Sequence, residues 1–237
     1  MESPYSFSPQ LPALPDLHHV RIFLISQLEP RSSSEFSFGI NQVYDWILAP
    51  YKEQLLTLDI YTEGGIATEA NFAKLERLFV SHVADPTFLE PTLFQCPQLK
   101  SLLLTKIQIR FEEDIMGWLK RQIAPFADTL SELHLDFHPT KPKPQRGPLF
   151  ELSKIPVPEN TSKVVFSKMK TLAIPFLKFS EEVEVLKDLI KWFPNLEKLT
   201  FLIRSYENVG AGAQETVIGE EYGKVCPKLK EIIALQL

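Results

Sequence analysis

His134, Asp136 and His138 alternate along Glu132–Pro139, and an imidazole, a carboxylate and a second imidazole are donors that a transition metal accepts. Two histidines four apart converge on one ion when they lie on a helix. This stretch instead reads as a strand running into a Pro-rich turn, where the three residues share a face but span about 13 Å. No metal site is therefore expected. The two cysteines, Cys96 and Cys226, each precede a proline and stand three residues before a leucine. That shared slot marks them as equivalent buried positions. Stacked strands lie about 5 Å apart, which sets these two slots about 20 Å from each other. A disulfide bridges roughly 7 Å at most, so none is expected. Val209-Gly210-Ala211-Gly212-Ala213 lacks the third glycine and the Lys-Ser/Thr of a phosphate loop. Neither G-x-S-x-G nor H-E-x-x-H occurs. Neither catalysis nor a cofactor is expected. The alternative of an enzyme would need a site assembled from residues far apart in the chain.

Composition narrows the classes further. The chain has 237 residues, of which 44% are hydrophobic and 23% charged, enough for a sizeable core. Its 25 Lys and Arg against 30 Asp and Glu give a net charge of −5, which argues against general binding to a phosphate backbone. No apolar run reaches the ~20 residues of a membrane span. MESPYSFSPQ has neither the basic flank nor the apolar stretch of a secretory signal, so the expected setting is cytosolic or nuclear. The sequon at Asn160 then carries little weight.

The elements that position these residues come from a recurring frame, Leu-x-x-φ-x-φ, where φ is apolar. It occurs at Leu17/Val20/Ile22, Leu55/Leu58/Ile60, Leu75/Leu78/Val80 and Leu99/Leu102/Leu104. It continues at Leu130/Leu133/Leu135, Met169/Leu172/Ile174, Leu196/Leu199/Phe201 and Leu229/Ile232/Ala234. The spacing is uneven, closest between Leu55 and Leu75 and widest between Leu130 and Met169. Pro15, Pro97, Pro194 and Pro227 each stand two positions before the first leucine of a frame. Two apolar residues two apart point to one face of a strand. One such strand cannot bury that face, but stacked copies form a parallel sheet over a continuous core. Apolar residues at helical spacing predict return helices over 40–48, 111–123 and 180–193, with a weaker one over 216–225. Residues 139–165, with six prolines, read as a loop insertion that either binds a partner or is tolerated at the rim.

The phrases CPQLKSLLL, FPNLEKLTF and CPKLKEIIA resemble the leucine-rich repeats of F-box/LRR proteins, particularly the irregular fungal type. The resemblance covers residues 15–237, after a Pro/Ser-rich arm over 1–14. It implies an α/β leucine-rich-repeat solenoid of about eight repeats, with a curved parallel sheet and convex helices or loops. It also implies a substrate receptor of a cullin-RING ubiquitin ligase, in which a separate F-box docks the adaptor. The arm over 1–14 is too short to hold an F-box, so an adaptor is a partner only if an F-box lies upstream of this sequence. The slot of the asparagine ladder holds Glu63, Val83, Ile107, His138, Leu177 and Arg204, an irregular pattern. The last frame runs to Leu237 without a polar cap, so the chain is expected to be part of a longer receptor or to pair through that edge.

Residues alternating with the inward ones should line the concave face, where a protein or peptide ligand would lie. They are His19, Arg21, Phe23; Thr57, Asp59, Tyr61; Arg77, Phe79, Ser81; and Ser101, Leu103, Thr105. Beyond them come Glu132, His134, Asp136; Thr171, Ala173, Pro175; Lys198, Thr200, Leu202; and Glu231, Ile233, Leu235. Arg21, Arg77, Phe23, Tyr61 and Phe79 form an arginine–aromatic pole of hot-spot composition, and Glu132 with Asp136 an acidic one. The expected function is non-enzymatic protein recognition. The alternative is a stand-alone repeat scaffold unrelated to ubiquitin.

Overall fold

A computed structural model describes residues 14–23, 48–61, 70–81, 94–109, 122–139, 164–175, 189–203 and 226–236. Each frame supplies one strand of a single open sheet of eight parallel strands. These are β1 (His19–Phe23), β2 (Thr57–Tyr61), β4 (Arg77–Ser81), β6 (Ser101–Ile109), β7 (Glu132–Pro139), β8 (Thr171–Pro175), β9 (Lys198–Ile203) and β10 (Glu231–Gln236). They stack in chain order, β1-β2-β4-β6-β7-β8-β9-β10. A two-stranded pair, β3 (Ala70–Asn71) with β5 (Phe94–Gln95), lies outside that sheet and has no counterpart in the frame. The predicted helices lie largely outside the described residues, as do the 139–165 insertion beyond Pro139, the sequon and the 209–213 glycines. The described ends of three of the helical segments, Leu48, Ile123 and Ile190, are buried.

The core is built from the frame itself. Leu55, Leu58, Ile60, Leu75, Leu78, Leu99, Leu102, Leu104, Leu130, Met169, Leu196 and Leu199 are all at most 1% exposed. Side by side they form continuous apolar rows, because each pairs with its equivalent on the next strand: Leu58 with Leu78, Leu78 with Leu102, Leu102 with Leu133. Burying one such leucine stabilises by roughly 1.5–3 kcal/mol, so among the described residues the frames are a large source of apolar stabilisation.

One joint starts every strand of the eight-stranded sheet after β1. The carbonyl of the residue before a strand accepts two N–H groups from the next segment, those of the equivalent residue and of its successor. His18 O takes Leu56 and Thr57 N–H at 2.9 and 3.0 Å, and Lys100 O takes Ser131 and Glu132 N–H at 2.8 and 3.0 Å. Leu56, Glu76, Ser131, Lys170 and Glu197 repeat it. A turn precedes each joint. Leu17, Leu99, Leu196 and Leu229 donate N–H to the carbonyls of Leu14, Cys96, Phe193 and Cys226 at 3.0–3.2 Å. The four recurrent prolines occupy the second position of these turns, where the φ that the pyrrolidine ring imposes is already the one the turn needs.

The turns create a second buried row that the frame does not contain. Tyr51, Phe72, Cys96, Phe126, Phe166, Phe193 and Cys226 are each at most 5% exposed. Phe166 and Phe193 pack with ring centroids 5.1 Å apart. Cys96 and Cys226 are free thiols within this row. Burial pushes both thiols up, with the Phe72 backbone hydrogen bond offsetting part of the effect at Cys96.

Strand β6 departs from simple alternation. Its register with β7 slips by one residue between Leu104 and Ile107. Lys106 absorbs the extra residue with φ at 51°, and its N–H points to Asp136 Oδ2 at 3.4 Å. Ile107, which simple alternation would turn outward, is thereby fully buried. A non-glycine residue in this left-handed region costs about 1–2 kcal/mol. Lys106→Val, which adds branching at Cβ, should lower unfolding stability by about 1–2 kcal/mol. Lys106→Gly should change it by less than about 1 kcal/mol, since relief of strain is offset by a freer unfolded chain. Urea titrations of the two variants check this ordering.

Candidate functional site

The sheet face opposite the core carries the residues that alternate with the buried ones, aligned in rows across the strands. Arg21, Asp59, Phe79, Leu103 and His134 pair in succession from β1 to β7. Phe23 pairs with Tyr61 directly. Accessibility is uneven along this face. Phe23 is 59% exposed at the β1 end, whereas Ala173, Thr200 and Leu202 at the β8–β9 end are buried. Lys198, by contrast, is half-buried and paired with Glu231 at 3.1 Å. A ligand on this face therefore reaches β1, β2 and β4 more readily than β8 and β9.

At the β1 end three rings adjoin. Phe23 and Tyr61 stack with centroids 4.5 Å apart and planes 12° off parallel, and Phe79 follows at 4.9 Å from Tyr61 with a 44° tilt. Tyr61 and Phe79 are diagonal rather than direct partners, a separation that large side chains bridge across adjacent strands. The Arg21 guanidinium lies 6.0 Å from the Tyr61 ring centre, at the outer limit of a cation–π contact. Arg77 shares the face, flanked by Thr57 and Ser101, and makes no ion pair among the described residues.

Asp59 has a different part from the one its position suggests. It is buried and its Oδ2 is already engaged, by Arg21 Nε and Nη2 at 3.1 and 2.9 Å and by His19 Nε2 at 3.3 Å. Its Oδ1 is buried without a partner. A carboxylate drawn this far from water needs its cation. Arg21 is consequently tied to the strand beside Tyr61, and Asp59 positions Arg21 rather than offering itself to a ligand.

The expected acidic pole is split in the same way. Glu132 remains on the face, accepting a short hydrogen bond from the Ser101 hydroxyl. Asp136 is buried and anchors the Lys106 bulge. His134 sits between Leu103 and Ala173. Burial holds its pKa below the usual histidine range, with the charges of Asp136 and Glu132 opposing the shift. Among the described residues no group of three His, Cys, Asp or Glu could hold a metal ion.

A groove of about 710 Å³ along the strand starts was not anticipated from the frame. Lys100, Ser131, Lys168, Lys170, Asn195, Glu197 and Lys228 are among its lining residues. Most of these charges are engaged: within the lining Lys170 pairs with Glu197 at 3.6 Å and Lys228 donates to Asn195 Oδ1 at 2.6 Å, while Glu76 and Lys230, outside it, pair with Lys100 and Glu197 at 2.6 Å each. The hydrogen bond from Lys230 is the main cause of a lowered Glu197 pKa. The lysines that follow the first leucine in CPQLK and CPKLK were the available signal.

These features define a class: a single open sheet of eight parallel strands with an arginine–aromatic patch at one end of its outer face. Compared with family models, with curated proteins and with solved structures, the chain matches none. Among the described residues no helix is long and apolar enough to cross a membrane.

The His134 environment sets a pH dependence. A histidine whose folded pKa lies below its unfolded value of 6.5 is favoured neutral, so the unfolded chain takes up its proton first. Its contribution is present above pH 6.5 and is lost as the pH falls below that value. His134→Gln should therefore reduce the decline in urea midpoint between pH 7.5 and pH 5.5 relative to the wild type.

Proposed function

We propose that this chain is a non-enzymatic protein-recognition module of the leucine-rich-repeat type, a solenoid whose outer sheet face receives a protein or peptide ligand. The observation that carries the reading is the Phe23–Tyr61–Phe79 ladder beside Arg21. An exposed phenylalanine stacked on a tyrosine, with an arginine held in place by a buried carboxylate, presents rigid anchors at small entropic cost. Aromatic and arginine residues dominate the binding energy of protein interfaces. Eight in-register frames with return segments of unequal length support the irregular-repeat assignment. The role of substrate-binding region in an F-box-type ubiquitin-ligase receptor rests on the likeness of the CPxL and FPxL phrases. The alternative is a scaffold that works without an adaptor. The 5′ end of the transcript separates the two: an in-frame upstream segment with an F-box pattern supports the receptor, and its absence leaves the scaffold.

For the surface itself, the triple variant Phe23→Ala, Tyr61→Ala, Phe79→Ala should weaken capture of the physiological partner by well over tenfold, since truncating one hot-spot residue costs about 2 kcal/mol or more. Lys168→Ala with Lys228→Ala, on the groove at the strand starts, should leave capture unchanged. Capture within twofold of wild type by a folded triple variant would remove the outer face from consideration.

A further inference from the structure

On β1, β2 and β4, charges and rings are sorted by their position along the strands. Register sets the outward residues in rows: His19, Thr57 and Arg77 at the strand starts, then Arg21, Asp59 and Phe79. The row at the strand ends opens with Phe23 and Tyr61. Cations therefore hold the starts of these strands, and stacked rings hold their ends. The single carboxylate in this grid is Asp59, which is buried and already serves Arg21 and His19.

Arg77 is the cation left over. It is exposed, and among the described residues it makes no ion pair. Its row neighbours Thr57 and Ser101 bring hydroxyls and no charge. The next acid along this row, Glu132, stands two strands further on, about 10 Å away, and accepts the Ser101 hydroxyl. Its charge repels an anion that moves towards β7 and so confines one to the β2 side of Arg77. A guanidinium takes a carboxylate through two parallel hydrogen bonds. Asp59 balances Arg21, so the permanent positive charge on offer is the one on Arg77. One carboxylate matches it, whereas a doubly charged phosphate exceeds it.

We propose that the ligand of this face is an extended acidic–apolar peptide segment. One Asp or Glu pairs with Arg77 at the start of β4, and one large apolar side chain stacks over Phe23 and Tyr61 at the ends of β1 and β2. The inference rests on the outer-face reading above and gives that ligand a composition, a spacing and a direction. Two strands across and four residues along set Arg77 about 16 Å from Phe23, which an extended peptide covers in about five residues. The segment lies obliquely over the three strands, with its acid towards their starts.

Selection of short random peptides, displayed on phage, against immobilised residues 1–237 tests this. The expected winners carry Asp or Glu about five positions from a large apolar residue. One synthetic winner is then titrated by fluorescence anisotropy. Replacing its acid by the amide should weaken binding about tenfold, as should Arg77→Glu in the protein at unchanged circular dichroism. Added salt should weaken wild-type binding, because the pair is exposed. A peptide with lysine in place of the acid should recover binding to the Arg77→Glu protein, and failure of that exchange would overturn the pairing with Arg77. Tighter binding of a phosphoserine peptide would overturn the choice of a carboxylate. Winners lost in the triple alanine variant of Phe23, Tyr61 and Phe79 yet indifferent to their own acid would overturn the acidic composition and leave the outer face as a binding surface. Winners indifferent to the triple variant would overturn both readings, and a selection that enriches nothing overturns the peptide proposal alone.

Discussion

The sheet depends on one shared carbonyl. At the start of every strand of the eight-stranded sheet after β1, a single backbone oxygen of the preceding segment receives two successive N–H groups, at 2.8–3.1 Å. Two donors on one acceptor fix the position of the incoming strand along its axis, and not merely its side. Because the next residue begins the ladder, the same bonds decide which residues face the core. The apolar rows of leucine and isoleucine then follow without further instruction. A slip of one residue would expose every one of them, a loss far larger than any single contact could recover.

The second buried row sits one turn upstream and reinforces the same constraint. Phe72, Phe166, Phe193 and the two cysteines wedge beneath the turns, and prolines at three of those turns, Pro97, Pro194 and Pro227, limit how the chain can enter. Strand start, turn and wedge thus form a compact device, repeated along the sheet. What lies between the devices varies from one unit to the next, and the strands align all the same. On the outer face the same order positions Arg21, since Asp59 occupies its partner row on β2 and lies too deep to serve a ligand directly.

Much of this arrangement could be read from residue types. The frame leucines announce the strands, because a two-residue apolar period has few other readings. The proline two positions upstream announces the turn, and the slot shared by Cys96 and Cys226 announces a buried place. The phenylalanines of that row were harder to recognise, because Phe72, Phe166 and Phe193 lack a common neighbour and resemble ordinary core residues. The bulge at Lys106 could not be foreseen, since lysine has no preference for a left-handed backbone; Asp136 on the neighbouring strand and the burial of Ile107 select that conformation. The outer face was legible as a list of positions but not as a graded surface. Alternation assigns Asp59, Asp136 and Leu202 the same exposure as Phe23, and only the packed structure separates them.

The bulge has a consequence for how such a chain tolerates changes in length. Residues added or removed between strands leave the shared-carbonyl joint untouched, so the outer face keeps its pattern whether a return segment is short or long. A residue added within a strand inverts everything downstream of it, unless one position can reset the phase. Lys106 is such a position: the strand enters it with one parity and leaves with the other, and Ile107 lands inside. In coding terms the sheet is indifferent to spacing and intolerant of frameshift, with a single built-in correction on β6.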